Sequence, residues 1–333
     1  MTTEPNFLDK SSDTEIYEPL PLGRTLFSRG MTVLAFALTV AALLPLFAIL
    51  FEILRQGFPP LMKLQEVRLL GLPIPIPEVL VSLPAPEGVQ DRANGFANAI
   101  VGTLIMVGVA CLISVPFGVM TGIFLSEFGK ENALKSGIRF ITVILSSVPS
   151  IVVGVFAYGV IVLTKLTIPI PLLNITIQTG GFSALAGGFA LSVIMLPIVA
   201  LSTEEALKLV PTSHRLASAA LGGGRFPTIC RIVLASALPG ITTGVLLAVA
   251  RAAGETAPLI FTALSSQFWP QGVFSPTPSL SVLIYGYASS PFKTQNQLAW
   301  TASLVLIGLV LLSSILSRLV TRNPLKNRSH HAT

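Results

Sequence analysis

The sequence predicts an all-α fold: a polytopic membrane protein with six transmembrane helices and both termini cytoplasmic. Three observations predict it. The 333 residues are 52% hydrophobic and only 11% charged, with mean hydropathy +0.79; a soluble domain carries about a quarter charged residues. A bilayer core takes about 20 apolar residues per helix, and charge-free runs of that length fill 30–51, 93–126, 140–164, 166–203, 256–292 and 294–317. A seventh run, 232–250, ends at Arg251. None alternates with period two, as a membrane-spanning strand would.

Two of these runs exceed one helix and contain a loop. Helices placed in the most apolar parts give spans at 31–54, 97–125, 140–163, 182–202, 241–263 and 297–319. Lys and Arg placement sets the orientation. One side holds Lys10, Arg24, Arg29, Lys130, Lys135, Arg139, Lys208, Arg215, Arg225, Arg231, Arg318, Arg322, Lys326 and Arg328, or 14 of the 21 basic residues. The other holds Arg55, Lys63, Arg68, Arg92, Lys165 and Lys293. The first side is therefore cytoplasmic. This bias accounts for the net charge of +6 without any nucleic-acid partner.

Residues 1–30 form a cytoplasmic tail. Glu4, Asp9, Asp13, Glu15 and Glu18 precede the first span, unlike the basic start of a signal peptide. The loop 55–96 is rich in proline (Pro59, Pro60, Pro73, Pro75, Pro77, Pro84, Pro86) and is expected to be extended or turn-like on the outer face. The loop 264–296 is similar, and Trp269, Tyr285 and Tyr287 suit an interfacial belt. Gly118 with Gly122, and Gly240 with Gly244, are small-xxx-small pairs that let helices approach closely, within the chain or at a dimer seam. Pro116, Pro149 and Pro197 fall inside spans and are expected to kink them. Residues 321–333 are a cytoplasmic tail.

Cys111 and Cys230 have no metal spacing and read as reduced packing residues. His214, His330 and His331 form no metal pattern. No Walker A motif is present: Gly129–Lys130 is followed by Glu131. No nucleophile–base arrangement is evident, so the chain is expected to be non-catalytic and to hold no cofactor of its own.

The stretch 203–240 is the most informative loop. Span four runs on through Ser202, Glu204, Glu205 and Lys208 until Pro211 stops it. Thr212 and Ser213 are good N-caps for a short helix over 214–221. Gly222, Gly223 and Gly224 end that helix. A further helix starts at Phe226–Pro227, and Pro239–Gly240 is expected to bend the chain into span five. Isolated helices below about 12–15 residues are marginal in water. The short helix therefore docks on a partner, on its own protein or on the bilayer surface.

The stretch 204–241 resembles the cytoplasmic loop of ABC-importer permeases. That family's pattern is Glu-Ala-Ala, three residues, Gly, nine residues, Ile-x-Leu-Pro. Here it falls on Leu216–Ala217–Ser218, Gly222 and Ile232–Val233–Leu234–Ala235. The leading Glu, second Ala and final Pro differ. A narrower resemblance follows from Arg251–Ala252–Ala253–Gly254–Glu255–Thr256–Ala257–Pro258, with Leu259, Phe261, Thr262 and Ala263 beyond it. With Val148–Pro149–Ser150–Ile151–Val152 and Gly154, and with Asn98 through Gly102–Thr103, this is similar to phosphate-specific transport permeases of the A type. The likeness covers roughly 95–320; the tail and the loop 55–94 are outside it. It implies a type I (MetI-like) importer permease of the bacterial cytoplasmic (inner) membrane. It also implies a homologous C-type permease partner, two ATP-binding subunits that hold ATP and Mg, and an extracytoplasmic phosphate-binding protein. Ser213, His214, Arg215, Leu216, Ala217, Ala220, Leu221, Gly222, Gly224 and Arg225 would then form the ATPase-coupling loop.

Arg251 lies inside span five with Glu255 one turn later. A central Arg costs roughly 2.5–3.5 kcal/mol on insertion scales, so such residues mark a polar pathway. An ion pair that only neutralises both charges is one reading. The other, to which the resemblance also points, is that Arg251, with Glu255 and Thr256 beside it, meets a passing oxyanion, because a guanidinium matches phosphate oxygens with paired hydrogen bonds. A permease for sulfate or molybdate, or a stand-alone secondary transporter, are the competing functions; the latter is expected to carry internal repeats, and none is evident.

Overall fold

The computed structural model describes residues 22–69, 72–86, 93–128, 132–164, 166–170 and 175–322. Expectations for residues 1–21 and 323–333, including His330 and His331, lie outside the described residues. The chain divides into two compact units, Met1–Glu52 and Ile53–Thr333.

Helix α1 (Leu22–Leu61) begins in the first unit, where Leu34, Phe36, Leu38 and Phe47 are exposed. A helix that is apolar all round belongs in lipid or in a core. Its 40 residues rise about 60 Å against a hydrocarbon layer of ~30 Å. In the second unit α1 continues past the expected end at 54, because Ile53, Gly57 and Pro60 form a buried face.

The loop expected to be extended or turn-like over 55–96 contains a hairpin and a short helix. Strands β1 (Leu64–Leu69) and β2 (Leu72–Pro77) pair antiparallel with Leu64 opposite Pro77. Pro73, Pro75 and Pro77 alternate along β2, so their missing donors all fall on one edge, leaving the other free to pair. A short helix α2 (Glu78–Val81) follows.

Helix α3 (Ala97–Ile123) ends in a π-helical turn, Phe124–Phe128. The span expected at 140–163 is two helices, α4 (Ala133–Ser147) and α5 (Ser150–Ala157, continued by a π-helical turn to Val162), bent by 103°. Pro149 causes the break: it lacks an N–H and holds Val148 extended at ψ 129. A hairpin, β3 (Leu166–Ile170) with β4 (Ile175–Thr179), precedes α6 (Ala184–Lys208), which Ser183 caps through the Ala186 N–H. Pro116 and Pro197 stay inside unbroken helices.

Next come α7 (Thr212–Ala220), α8 (Arg225–Thr228) and, after a π-helical turn at Ile229–Val233, α9 (Leu234–Gly254). The helix runs on through Pro239–Gly240 without a break. Pro239 sits in the second turn of α9, where its missing donor removes a single bond. The span expected over 241–263 is instead broken at Glu255, with α10 (Ala257–Thr262) beyond it. The loop 264–296 contains α11 (Leu280–Ala288), whose Leu280 and Leu283 are buried, and α12 (Lys293–Arg322) follows. Among the described residues five helices are long and apolar enough to cross a membrane, or six if α4 with α5 counts as one span.

Helix α6 is the centre of the second unit. Met106 and Ala110 of α3, Leu191, Met195 and Val199 of α6, and Ala248 and Ala252 of α9 form one core. Both small-residue pairs serve this packing. A Cβ on Gly118 or Gly122 would lie 2.8 Å from Val199 or 2.6 Å from Thr203 of α6. One on Gly240 or Gly244 would meet Ala206 at 2.9 Å or Ser202 at 2.0 Å. Overpacking of this kind costs about 1–3 kcal/mol, so Gly122→Val is expected to lower the thermal unfolding midpoint of the purified protein, while Gly108→Ala, with open space around it, is not.

Candidate substrate pathway and coupling surface

The short helix of the 203–240 loop is present as α7. It starts at Thr212, with Pro211 in the N-cap position and no side-chain cap, so the expected capping by Thr212 or Ser213 does not occur. Its C-terminus follows the sequence pattern: Gly222 takes φ +78, its N–H bonds the Ala219 carbonyl at 3.0 Å, and the Gly223 N–H bonds Ser218 at 2.9 Å. That is a Schellman closure, which satisfies two of the helix's last carbonyls.

Most of α7 faces outward. Ser213, His214, Ala217, Ala220, Gly222 and Gly224 are exposed, and Leu216 and Leu221 are 69% and 90% exposed. Phe226 beyond them is exposed too. Arg215 departs from this pattern and turns inward. Its guanidinium meets Glu127 through Nη2 (2.5 Å) and Nε (3.3 Å), and donates to the carbonyls of Val210 (2.7 Å) and Leu207 (3.1 Å). Arg225 donates to the Glu127 carbonyl and stacks on Phe128, 5.4 Å from the ring centroid. Ser218 bonds Thr228 at 2.7 Å. Thus α7 is tied to the π-helical end of α3 by Arg215, and α8 by Arg225, with the apolar side chains of α7 left outside. Sequence reasoning missed Glu127, which carried no signal beyond its position at the end of a span.

Beside this lies a second ionic cluster. Glu204 of α6, only 3% exposed, pairs with Arg139 of α4 and with Lys208 at 2.7 Å. It fixes the start of the bent α4–α5 pair to the end of α6.

Arg251 occupies the last turn of α9, where a cation complements the helix dipole. Its Nε lies 3.3 Å from Glu255 Oε1, and the side chains are 53% and 17% exposed. Glu255 is extended (φ −71, ψ 129), past the end of α9, and its carbonyl accepts the Ser281 hydroxyl of α11 at 2.8 Å. Thr256 is the N-cap residue of α10, its carbonyl taking the N–H groups of Leu259 and Ile260. The two charges therefore flank a helix break rather than sharing one regular helix face. Gly240, Gly244, Leu247 and Arg251 follow at three- and four-residue steps along α9. The first three line a cavity of about 670 Å³ that Ser202, Glu205 and His214 also line. Arg251, exposed in a chain otherwise poor in charge, can present paired donors to an oxyanion, with a carboxylate beside it that competes for the same donors.

The separated sequence segments meet around this break. A Cβ on Gly154 of α5 would lie 2.6 Å from Cα of Pro258 in α10. A Cβ on Gly102 of α3 would collide with the Pro278 carbonyl. Asn98 donates to the carbonyls of Ser266 and Phe268, and Thr103 accepts from the Leu280 N–H at 2.9 Å. The 148–154 stretch thus packs on the 255–263 stretch, while 98–103 packs on the segment 266–280 that follows it.

Comparison with known proteins gives the family and the fold. Residues 114–325 match the family described as binding-protein-dependent transport system inner membrane component. The phosphate transport system permease protein PstA of Xylella fastidiosa is 42% identical over 238 residues, 71% of this chain and 78% of that one. The protein of the same name in Haemophilus influenzae is 38% identical over 296 residues, covering 89% and 94%. A probable PstA of Methanocaldococcus jannaschii is 33% identical over 291 residues, covering 87% and 92%. A solved bacterial alginate ABC transporter, in complex with an alginate-bound periplasmic protein, shares the fold with TM-score 0.56 at 13% identity over 90% of this chain and 98% of that one. With its helices packed on α6, an outward α7 and a charged pair at a broken helix, the chain belongs to the PstA family of phosphate transport system permeases, within the inner membrane components of binding-protein-dependent transporters.

Proposed function

We infer that this chain forms one half of a phosphate pathway through the bacterial cytoplasmic membrane, driven by ATP hydrolysis in separate subunits. The chain is a non-catalytic permease subunit. The observation that carries the substrate reading is the Arg251–Glu255 pair at the α9–α10 break, held by Ser281 and left open on one side. Phosphate that passes must bind and then leave. Glu255 holds Arg251 when the path is empty and gives way when phosphate takes the guanidinium; Thr256 lies beside them. The relatives' names and the fit of a guanidinium to a tetrahedral oxyanion support this reading.

The other half of the pathway comes from a homologous C-type permease. Two ATP-binding subunits hold ATP and Mg, one of them seats on the outward face of this chain's α7, and an extracytoplasmic phosphate-binding protein delivers the substrate. Exposed Leu216 and Leu221 are the anchors of the ATPase contact. Fully burying a leucine side chain contributes about 1.5–3 kcal/mol. Leu216→Asp with Leu221→Asp is therefore expected to lose the ATP-binding subunits on co-purification, with the permease still inserted in the membrane.

A guanidinium would also accept sulfate, so substrate choice is tested directly. In proteoliposomes holding the full complex, phosphate-loaded binding protein is expected to stimulate ATP hydrolysis and sulfate-loaded protein is not. Equal stimulation by both would make this a general oxyanion permease.

A further inference from the structure

The second unit carries a basic cavity at the end of the helices remote from α7. It measures about 630 Å³ and is lined by Arg55 and Gln56 of α1, by Ser290 and Phe292, and by Lys293 and Asn296 of α12, with Pro59, Pro291 and Gln297 completing the wall. Two cations line it and no carboxylate does. Arg55 and Gln56 also hold other partners in the protein; the five N–H donors of a guanidinium serve more than one acceptor. The site exists because α1 and α12 cross closely. A Cβ on Gly57 would lie 2.7 Å from the Trp300 carbonyl and 3.1 Å from Leu304.

Its depth in the membrane can be read from the sequence. Arg55 follows the apolar run 30–51 almost directly, and Lys293 immediately precedes the run 294–317. Both therefore stand at the boundary between hydrocarbon and water, on one side of the bilayer. Exposed Leu54, Phe58 and Phe292 flank the cavity, offering apolar surface next to the charges. Phosphate-bearing headgroups lie at this depth on both faces of a bilayer, and a guanidinium and an ammonium with neighbouring hydrogen-bond donors suit a phosphodiester. A free phosphate ion has no use for the flanking apolar side chains, whereas a lipid's acyl chains do. The cavity is also built from α1 and α12, away from the α9–α10 break that holds Arg251.

We propose that this cavity is a binding site for the phosphodiester headgroup of an anionic phospholipid, with Arg55 and Lys293 as charge partners and Gln56, Ser290 and Asn296 as hydrogen-bonding groups. The lipid would pin the end of α1 to the start of α12. This stands apart from the reading of Arg251 and does not depend on phosphate transport.

The test is native mass spectrometry of the full transport complex, extracted in detergent and supplied with phosphatidylglycerol or phosphatidylcholine. Wild-type complex is expected to retain phosphatidylglycerol preferentially. Each basic side chain near a membrane surface gives about a five-fold gain for an anionic lipid, so Arg55→Gln with Lys293→Gln is expected to reduce retention roughly 25-fold. If the double variant fails to assemble, Lys293→Gln alone serves, with a loss of about five-fold. Millimolar inorganic phosphate is expected to leave the lipid in place. Unchanged phosphatidylglycerol retention in the variants would overturn the proposal. Displacement by inorganic phosphate would make the cavity a free-anion site instead. Loss of binding-protein-stimulated ATP hydrolysis with lipid retention intact would make it a protein contact.

Discussion

Arg251→Ala is expected to reduce phosphate uptake by the assembled complex about a hundredfold or more, since two charge-assisted hydrogen bonds at roughly 1.5–3 kcal/mol each are lost. The guanidinium is half exposed and stands in the last turn of α9. Its removal leaves no cavity in the core formed by Ala248, Ala252 and their neighbours, so assembly and basal ATP hydrolysis should persist. Arg251→Lys keeps the charge and loses the fork; about a tenfold loss is expected, the equivalent of one such bond. Glu255→Gln keeps the shape and removes the competing carboxylate. Phosphate should then leave more slowly, and uptake should fall with no loss of binding. Uptake of radiolabelled phosphate into proteoliposomes measures all three.

The second large effect concerns the link between ATP hydrolysis and the pathway. Glu127→Ala removes the carboxylate that receives Arg215 and leaves a partly buried guanidinium with two carbonyls as its remaining acceptors. The local loss is about 2 kcal/mol. It falls on the tie between α7 and the end of α3, because Arg215 reaches Glu127 from α7 while Arg225 holds the same turn from the other side of Gly222–Gly224. We expect ATP hydrolysis to continue while phosphate moved per ATP falls several-fold. Measuring both rates on one preparation checks this: a proportional fall in the two would mean that the bridge only stabilises the fold. Arg215→Lys, which keeps one charged contact, should lie between.

These two effects also show where the sequence was readable. The short helix α7 was legible because its stop and closure are written in Pro211 and the Gly222–Gly224 run, and the structure adds φ +78 at Gly222. Its inward contact was not legible, since Glu127 and Arg215 lie 88 residues apart and nothing local links them. The glycine pairs on α3 and α9 were readable as close-packing positions, while their common partner, α6, came only from the tertiary structure.

Breaks inside spans were the hardest feature to read. Pro149 produces a 103° bend, yet Pro116, Pro197 and Pro239 leave their helices continuous. A proline removes one bond wherever it stands; whether the helix bends depends on what replaces that bond. The break at Glu255 has no proline at its own position and was invisible to hydropathy. It arises where Pro258, which has no N–H for the Gly254 carbonyl, packs against Gly154, and where the Ser281 hydroxyl donates to the Glu255 carbonyl. Arg251 and Glu255 do lie in contact, but across the end of a helix rather than on one regular helix.

One double substitution separates an oxyanion contact from a pair that merely cancels two charges. In Arg251→Gln with Glu255→Gln both charges go together, so no uncompensated charge is left in the span. If the pair serves only neutrality, uptake in this variant returns close to the wild-type rate even though Arg251→Ala alone is inactive. If Arg251 meets phosphate, the double variant stays as inactive as the single one. The measurement is radiolabelled phosphate uptake by proteoliposomes containing the complete complex, with binding protein outside and ATP inside. The prediction is no recovery; recovery to near wild-type uptake would contradict it.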